Sequence, residues 1–310
     1  MLDRREFLIK SSAACTALML GELPFSDDEK IIDIHQHTDY AGRSHADLVK
    51  HQRKMGVTQT LLLPAGTPSF GASTHFGKSN GLQVNSSGND VCFELAQQYP
   101  GEFYFGANEV PDLEDADKEI EKYLKKGAKI IGELKFGVSV DSKPMRRIYK
   151  LAEEYDVPVL LHWQFGMYSY GYEEFHKVLK KFPRVNFIGH AQSWWANIDR
   201  DHKDQSVLYP KGKVTPGGLT DRLLSDYPNM FADMSAGSGL NALIRDEEHA
   251  RGFLERHQDK ILYGSDCNDH DGAGQGCSGS QTIAKIRELA GSPIIARKIF
   301  YENARKLFKL

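Results

Sequence analysis

The residues of this chain best able to do chemistry stand at the ends of short apolar runs. The first run closes as Asp33-Ile34-His35-Gln36-His37. Side chains of an extended strand alternate between faces, so histidines two apart point the same way. That alternation puts Asp33, His35 and His37 on one face, and Ile32 and Ile34 on the other, toward packing helices. Two imidazoles held on one strand are half of a metal site. Alone, His-x-His fits a pair of ordinary polar residues just as well. Three more runs, Val159-Leu-Leu-His162, Phe187-Ile-Gly-His190 and Tyr263-Gly-Ser-Asp266, each end in one metal-competent side chain. Gathered together, these imidazoles and the carboxylate would supply the nitrogen and oxygen donors of a Zn2+-type centre, with a position left for water.

Other residues extend the constellation. In Gly132-Glu133-Leu134-Lys135, Glu133 and Lys135 share a face. Either could bridge two ions, Glu133 directly or Lys135 if carboxylated, or the two could form an internal ion pair. Asp233, in Phe231-Ala-Asp-Met-Ser235, is a candidate to orient a ligand or touch a substrate. Arg43 could grip a substrate carboxylate bidentately, or be a plain surface arginine. Trp163, Trp194 and Trp195 flank two of the histidine runs and read as pocket wall or as core. Gly274-x-Gly276-x-x-Gly279 matches the dinucleotide fingerprint formally, but no βαβ unit or ribose-binding acid follows it. It reads as a flexible loop, with phosphate binding a lesser alternative. Cys267 and Cys277 share that loop, and either pair in an oxidising compartment or stay free and buried. His75 and His270 fall in loops, as lid residues or solvated surface.

The elements that must position these residues alternate in type. Strand-like runs cover Ile31–His37, Val57–Leu63, Phe103–Ala107, Ala128–Lys135, Pro158–Trp163, Val185–His190, Met230–Ser235 and Ile261–Asp266. Helical spacing of apolar residues marks Asp90–Tyr99, Leu113–Lys126, Pro144–Tyr155, Glu173–Phe182, Leu219–Tyr227, Asp246–His257, Gln281–Leu289 and Pro293–Phe308. Such alternation predicts βαβ units and a parallel sheet. Eight units predict an α/β fold of the (β/α)8 TIM-barrel type, with a doubly wound open sheet as runner-up. A barrel brings the C-terminal ends of its strands around one opening, which is where the metal-competent side chains lie. Two long connections, 64–89 and 191–218, both follow strands and would sit at that face as binding loops.

Bulk properties exclude several classes. A net charge of −3 over 310 residues gives no footprint for nucleic acid or an anionic membrane. Four cysteines in 310 residues are too few for a disulfide scaffold. No run approaches the roughly 18 apolar residues of a spanning helix. At the start, Arg4-Arg5-x-Phe7-Leu8 precedes a mild apolar stretch, the pattern of a twin-arginine export signal. The expected organisation is a signal over 1–27, export to the periplasm, and a single barrel domain over 28–310.

With these motifs together, the chain resembles the amidohydrolase superfamily, in the amidohydrolase-2 branch that also contains aminocarboxymuconate-semialdehyde decarboxylase. The resemblance rests on the His35-x-His37, His162, His190 and Gly-Ser-Asp266 strands and the closing Tyr301-Glu-Asn-Ala-Arg-Lys-Leu-Phe. It implies a divalent metal, Zn2+ or Mn2+, held by His35, His37, His162 and Asp266. His190 and Asp266 would be the acid/base groups. In binuclear members a fourth-strand Lys or Glu bridges and the sixth-strand His binds the second ion, so one or two ions are implied. The expected activity is hydrolysis of an amide, lactone or ester of a small polar molecule. Alternatives are non-oxidative decarboxylation of a small carboxylic acid and a non-catalytic metal- or ligand-binding barrel. No macromolecular partner is implied beyond a possible homo-oligomer.

Overall fold

The computed structural model describes residues 29–66 and 86–310. The segment 1–27 read as an export signal, His75 and most of the 64–89 connection lie outside the described residues.

Each apolar run of the sequence becomes a strand: β1 (Ile32–Gln36), β2 (Gln59–Leu62), β3 (Phe103–Phe105), β4 (Ile131–Leu134), β5 (Val159–His162), β6 (Phe187–His190), β7 (Met230–Met234) and β8 (Ile261–Tyr263). All neighbours pair in parallel and in chain order, as β1-β2-β3 and β4-β5-β6-β7-β8. Two seams join these ladders. At the first, Ala107 bridges to Ile131. At the second, the amide of Asp266 donates to the carbonyl of His35 at 2.8 Å. The arrangement is a TIM barrel, with helices between successive strands.

Two apolar clusters hold it. The larger lies between strands and helices and includes Leu62, Ile131, Leu134, Leu161 and Phe187. The smaller fills the interior with Ile32, Ile34, Leu61, Ile130, Leu160, Ile188 and Leu262, joined by Ala304 and Phe308 of the last helix. Ile32 and Ile34 therefore face the barrel interior, not the helices as strict alternation predicts. Asp33 faces outward, accepting from Gln52 Nε2 at 2.7 Å on the helix His45–Lys54. The reason is a register shift: Asp33 pairs with Thr60 and Gln36 with Leu62, so β1 carries one residue more than β2. Such a bulge resets the phase of a strand. It lets His35 and His37 face inward beyond two inward isoleucines. β4 has the same irregularity, with Ile131 opposite Val159 and Leu134 opposite Leu161. Glu133 faces inward as a result.

Helices begin with side-chain caps where the sequence offers them. Ser44 accepts from Asp47 N, and Ser292, ahead of Pro293, accepts from Ile295 N. Helices at His45–Lys54, Gln192–Ala196 and Ala236–Ile244 add to those expected from spacing, and the closing segment splits into Pro293–Arg297 and Asn303–Phe308 around a wider turn.

Candidate metal centre

Six side chains from five strand ends converge at one end of the barrel. His35 Nε2 lies 3.1 Å from His37 Nε2. One oxygen of Asp266 stands 3.8 Å from the first and 3.6 Å from the second. Glu133 spans the cluster. Its Oε2 is 3.6 Å from His35 Nε2 and 3.4 Å from His37 Nε2, while Oε1 is 3.5 Å from His190 Nε2 and hydrogen-bonds His162 Nδ1. The donors thus fall into two sets, His35–His37–Asp266 and Glu133–His162–His190, each within 4.8 Å, and a third, His35–His190–Asp233, links them. Ligand bonds of 2.0–2.1 Å imply donor separations near ~3.3 Å around a tetrahedral ion. The residues fit a divalent metal.

The outer nitrogens of these rings are fixed. His37 Nδ1 donates to the Leu63 carbonyl at 2.7 Å. Asp233 Oδ2 takes His35 Nδ1 at 2.6 Å and lies 3.1 Å from His190 Nδ1, which also meets Ser235 Oγ at 2.9 Å. Each such contact turns Nε2 toward the centre. Burial disfavours charge on Asp233, yet the adjacent His35 and His190 hold its carboxyl down at about 2. Burial and the charge of Lys135 push His162 down to about 4, so its ring is neutral and able to bind metal. Burial also opposes charge on Glu133, but the hydrogen bond from His162 and the charge of His35 outweigh it and keep the carboxylate ionised. Backbone strain collects at the same strand ends, with positive φ at Ala191 (82°), Ala236 (58°) and Asp266 (40°).

Lys135 is not among these donors. Its Nζ lies over the Tyr168 ring, 5.5 Å from the centroid. Glu133 pairs with histidines, and no ion pair joins it to Lys135 among the described residues. Arg43 is buried and braces two loops, donating to the carbonyls of Cys267 (3.0 Å) and Asp269 (2.7 Å) and to Gln36 Oε1 (2.8 Å). Trp194 is wholly buried, stacked on Trp163 at 5.5 Å. A Cβ at Gly189 would stand 2.4 Å from the Trp194 ring, so the strand residue before His190 has to be glycine. Trp195 donates to the Asp233 carbonyl at 3.1 Å and is buried too. Trp163 lines a cavity of about 210 Å³ together with Gln164, Phe165, Tyr168 and Tyr172. That cavity adjoins the centre through Gln164, whose Oε1 is 3.4 Å from His162 Nε2. His270 is exposed. Tyr40, which no sequence motif marks, hydrogen-bonds Asp266, and this carboxylate together with burial pushes its phenol up.

The family model for amidohydrolases matches residues 32–310. This chain belongs to the amidohydrolase family. Its model spans every strand of the barrel, and family members are metal-dependent enzymes. Among curated proteins no sequence matches. Solved structures match over nearly the whole barrel. A TIM-barrel protein from Bordetella bronchiseptica has TM-score 0.61 at 15% identity, covering 90% of this chain and 98% of that one. A probable 2-pyrone-4,6-dicarboxylic acid hydrolase from Acinetobacter baumannii, with citric acid bound, has TM-score 0.58 at 14% identity, covering 90% and 99%. A dihydroxybenzoic acid decarboxylase from Polaromonas, with bound manganese and 2-nitroresorcinol, has TM-score 0.57 at 14% identity, covering 91% and 97%. At these identities the likeness shows the fold.

Proposed function

We propose that this amidohydrolase is a two-ion, metal-dependent hydrolase acting on an amide, lactone or ester of a small molecule. The observation that carries the reading is the position of Glu133, one oxygen toward His35 and His37 and the other toward His162 and His190. A carboxylate so placed could serve two cations, where a single-ion centre would need only one of its oxygens. His35, His37 and Asp266 would hold one ion and His162 and His190 the other, with Glu133 shared. Zn2+ or Mn2+ suits these nitrogen and oxygen donors. A divalent cation there supplies the charge that lowers the pKa of water toward ~7 and polarises a carbonyl.

The protein's part is to orient and to move a proton. Asp266 carries the most exposed carboxylate of the centre, with its side chain 12% accessible. It takes the proton of attacking water and returns it to the leaving group. Tyr40 holds that carboxylate by its hydroxyl. His190, engaged by Ser235 and Asp233 on its far side, keeps Nε2 directed at the centre. The cavity beside Gln164, about 210 Å³ and lined in part by Trp163, Phe165, Tyr168 and Tyr172, suits the apolar part of a small substrate.

The test is product analysis in 18O-labelled water with a panel of amides, lactones, esters and aromatic carboxylic acids. Incorporation of one labelled oxygen into a new carboxylate supports hydrolysis. Release of CO2 without label uptake replaces it with decarboxylation.

A further inference from the structure

A second cluster of ligating atoms lies outside the barrel interior, and the hydrolytic centre makes no use of it. Cys267 Sγ and Cys277 Sγ are 3.4 Å apart, and Cys277 Sγ is 3.6 Å from His51 Nε2. All three donor atoms lie within 4.8 Å of one another, and all three residues are buried. The thioether of Met55 adds a fourth soft atom, 3.4 Å from Cys277 Sγ. His51 Nδ1 is engaged by Gln52 Oε1 at 3.0 Å, which directs the Nε2 lone pair at the sulfurs. Around a tetrahedral zinc ion, two sulfurs would stand ~3.8 Å apart and a sulfur and a nitrogen ~3.5 Å apart, given bonds of ~2.3 and ~2.0 Å. The observed spacings need only small adjustments to reach these values. A disulfide would need the sulfurs to close to ~2.05 Å.

We infer that His51, Cys267 and Cys277, with Met55 beside them, form a second metal site for a thiophilic closed-shell cation, Zn2+ or Cu+. Soft thiolate and thioether donors select these ions over Mg2+, Ca2+ or Mn2+. Two thiolates cancel the charge of Zn2+ at a place where an uncompensated charge would be costly. The Ser280 amide, 3.3 Å from Cys277 Sγ, supports charge on that sulfur. Each thiol gives its proton to solvent as the ion binds. The site ties together three segments: the helix His45–Lys54, the loop after β8 that carries Asp266, and the start of helix Ser278–Leu289. Its role is to clamp the loop that carries a ligand of the hydrolytic centre.

The test reads sulfur ligation directly, so it stands apart from the fate of the hydrolase reading. Chelator-stripped protein is titrated anaerobically with Co2+ as the zinc probe. The expected result is a thiolate-to-cobalt charge-transfer band in the near ultraviolet, absent from Cys277→Ser and retained in His190→Ala. Should Cys277→Ser fail to fold, X-ray absorption of the Zn2+-loaded wild type decides, with sulfur neighbours expected at ~2.3 Å. A parallel titration with Cu+ against a competing chelator separates the two ions. A tenfold or larger loss of Cu+ affinity in Met55→Leu assigns Cu+, and unchanged Cu+ affinity with the cobalt band intact assigns Zn2+. Absence of any sulfur signature in the wild type overturns the inference. So does recovery of a Cys267–Cys277 disulfide from anaerobically purified protein.

Discussion

His35 Nδ1 and Asp233 Oδ2 meet at 2.6 Å inside the barrel, joining the first strand to the seventh. Both residues are fully buried, so the carboxylate cannot be replaced by solvent. The same oxygen lies 3.1 Å from His190 Nδ1 and accepts from Ser235 Oγ at 2.7 Å. One acid therefore sets the tautomer and tilt of a histidine in each half of the centre. Asp233→Asn is expected to weaken divalent-metal affinity about ten- to a hundredfold, the usual cost of losing such an orienting partner. Chelator competition measures it, and unchanged affinity would remove Asp233 from this role.

Glu133 makes the ion count testable. Elemental analysis in a Cys277→Ser background reads the barrel centre alone. Near two equivalents per chain are expected there, falling to about one in Glu133→Gln, since the amide keeps the shape but not the charge that joins two cations. One equivalent in both proteins would sink the two-ion reading and leave His190 free of metal.

Charge within the centre predicts a pH dependence. Burial opposes a proton on His35, but Asp266, Asp233 and Glu133 outweigh it and hold the imidazolium well above the usual histidine value. In chelated protein at pH 7 that ring is protonated and cannot bind metal through Nε2. Binding must expel the proton, so affinity rises with pH through the raised pKa and falls as pH drops below it. His162, down at about 4, adds no slope near neutrality. Titration calorimetry on the Cys277→Ser protein, in buffers of different ionisation enthalpy, is expected to show proton release. Identical heats in all buffers would contradict the protonated state of His35.

The strands and their chemistry were legible because buried parallel strands read as short apolar runs, and four of those runs end in His or Asp. Strict alternation failed at β1 and β4. A bulge leaves no mark in residue types, so nothing in Asp33-Ile-His-Gln-His says that Ile34 and His35 both turn inward. Glu133 and Lys135 share a face in the sequence, and only the fold separates them, setting Glu133 among the histidines and Lys135 over the Tyr168 ring. Ser235 was within reach, two residues beyond Asp233 and just past the end of β7. Helix Ala236–Ile244 was obscured by its Gly-Ser-Gly start, in which contact requires Gly239: a Cβ there would lie 2.9 Å from the Met234 backbone. Tyr40 precedes no motif, and only the fold brings it to Asp266.

The role of Trp194 can be decided by stability. A pocket-wall tryptophan and a core tryptophan differ in what they touch, and this ring lies on Gly189, where an added Cβ would come within 2.4 Å. Gly189→Ala is expected to cost about 1–3 kcal/mol through overpacking and to lower Tm by several degrees. The cost should depend on the indole. In a Trp194→Leu background, which removes the clashing ring, the same alanine is expected to cost less than half as much. This coupling is what a double-mutant cycle isolates for residues in contact. Thermal denaturation of the four proteins measures it. Additive effects would mean that the ring is not packed on β6, reopening its reading as a substrate contact beside His190.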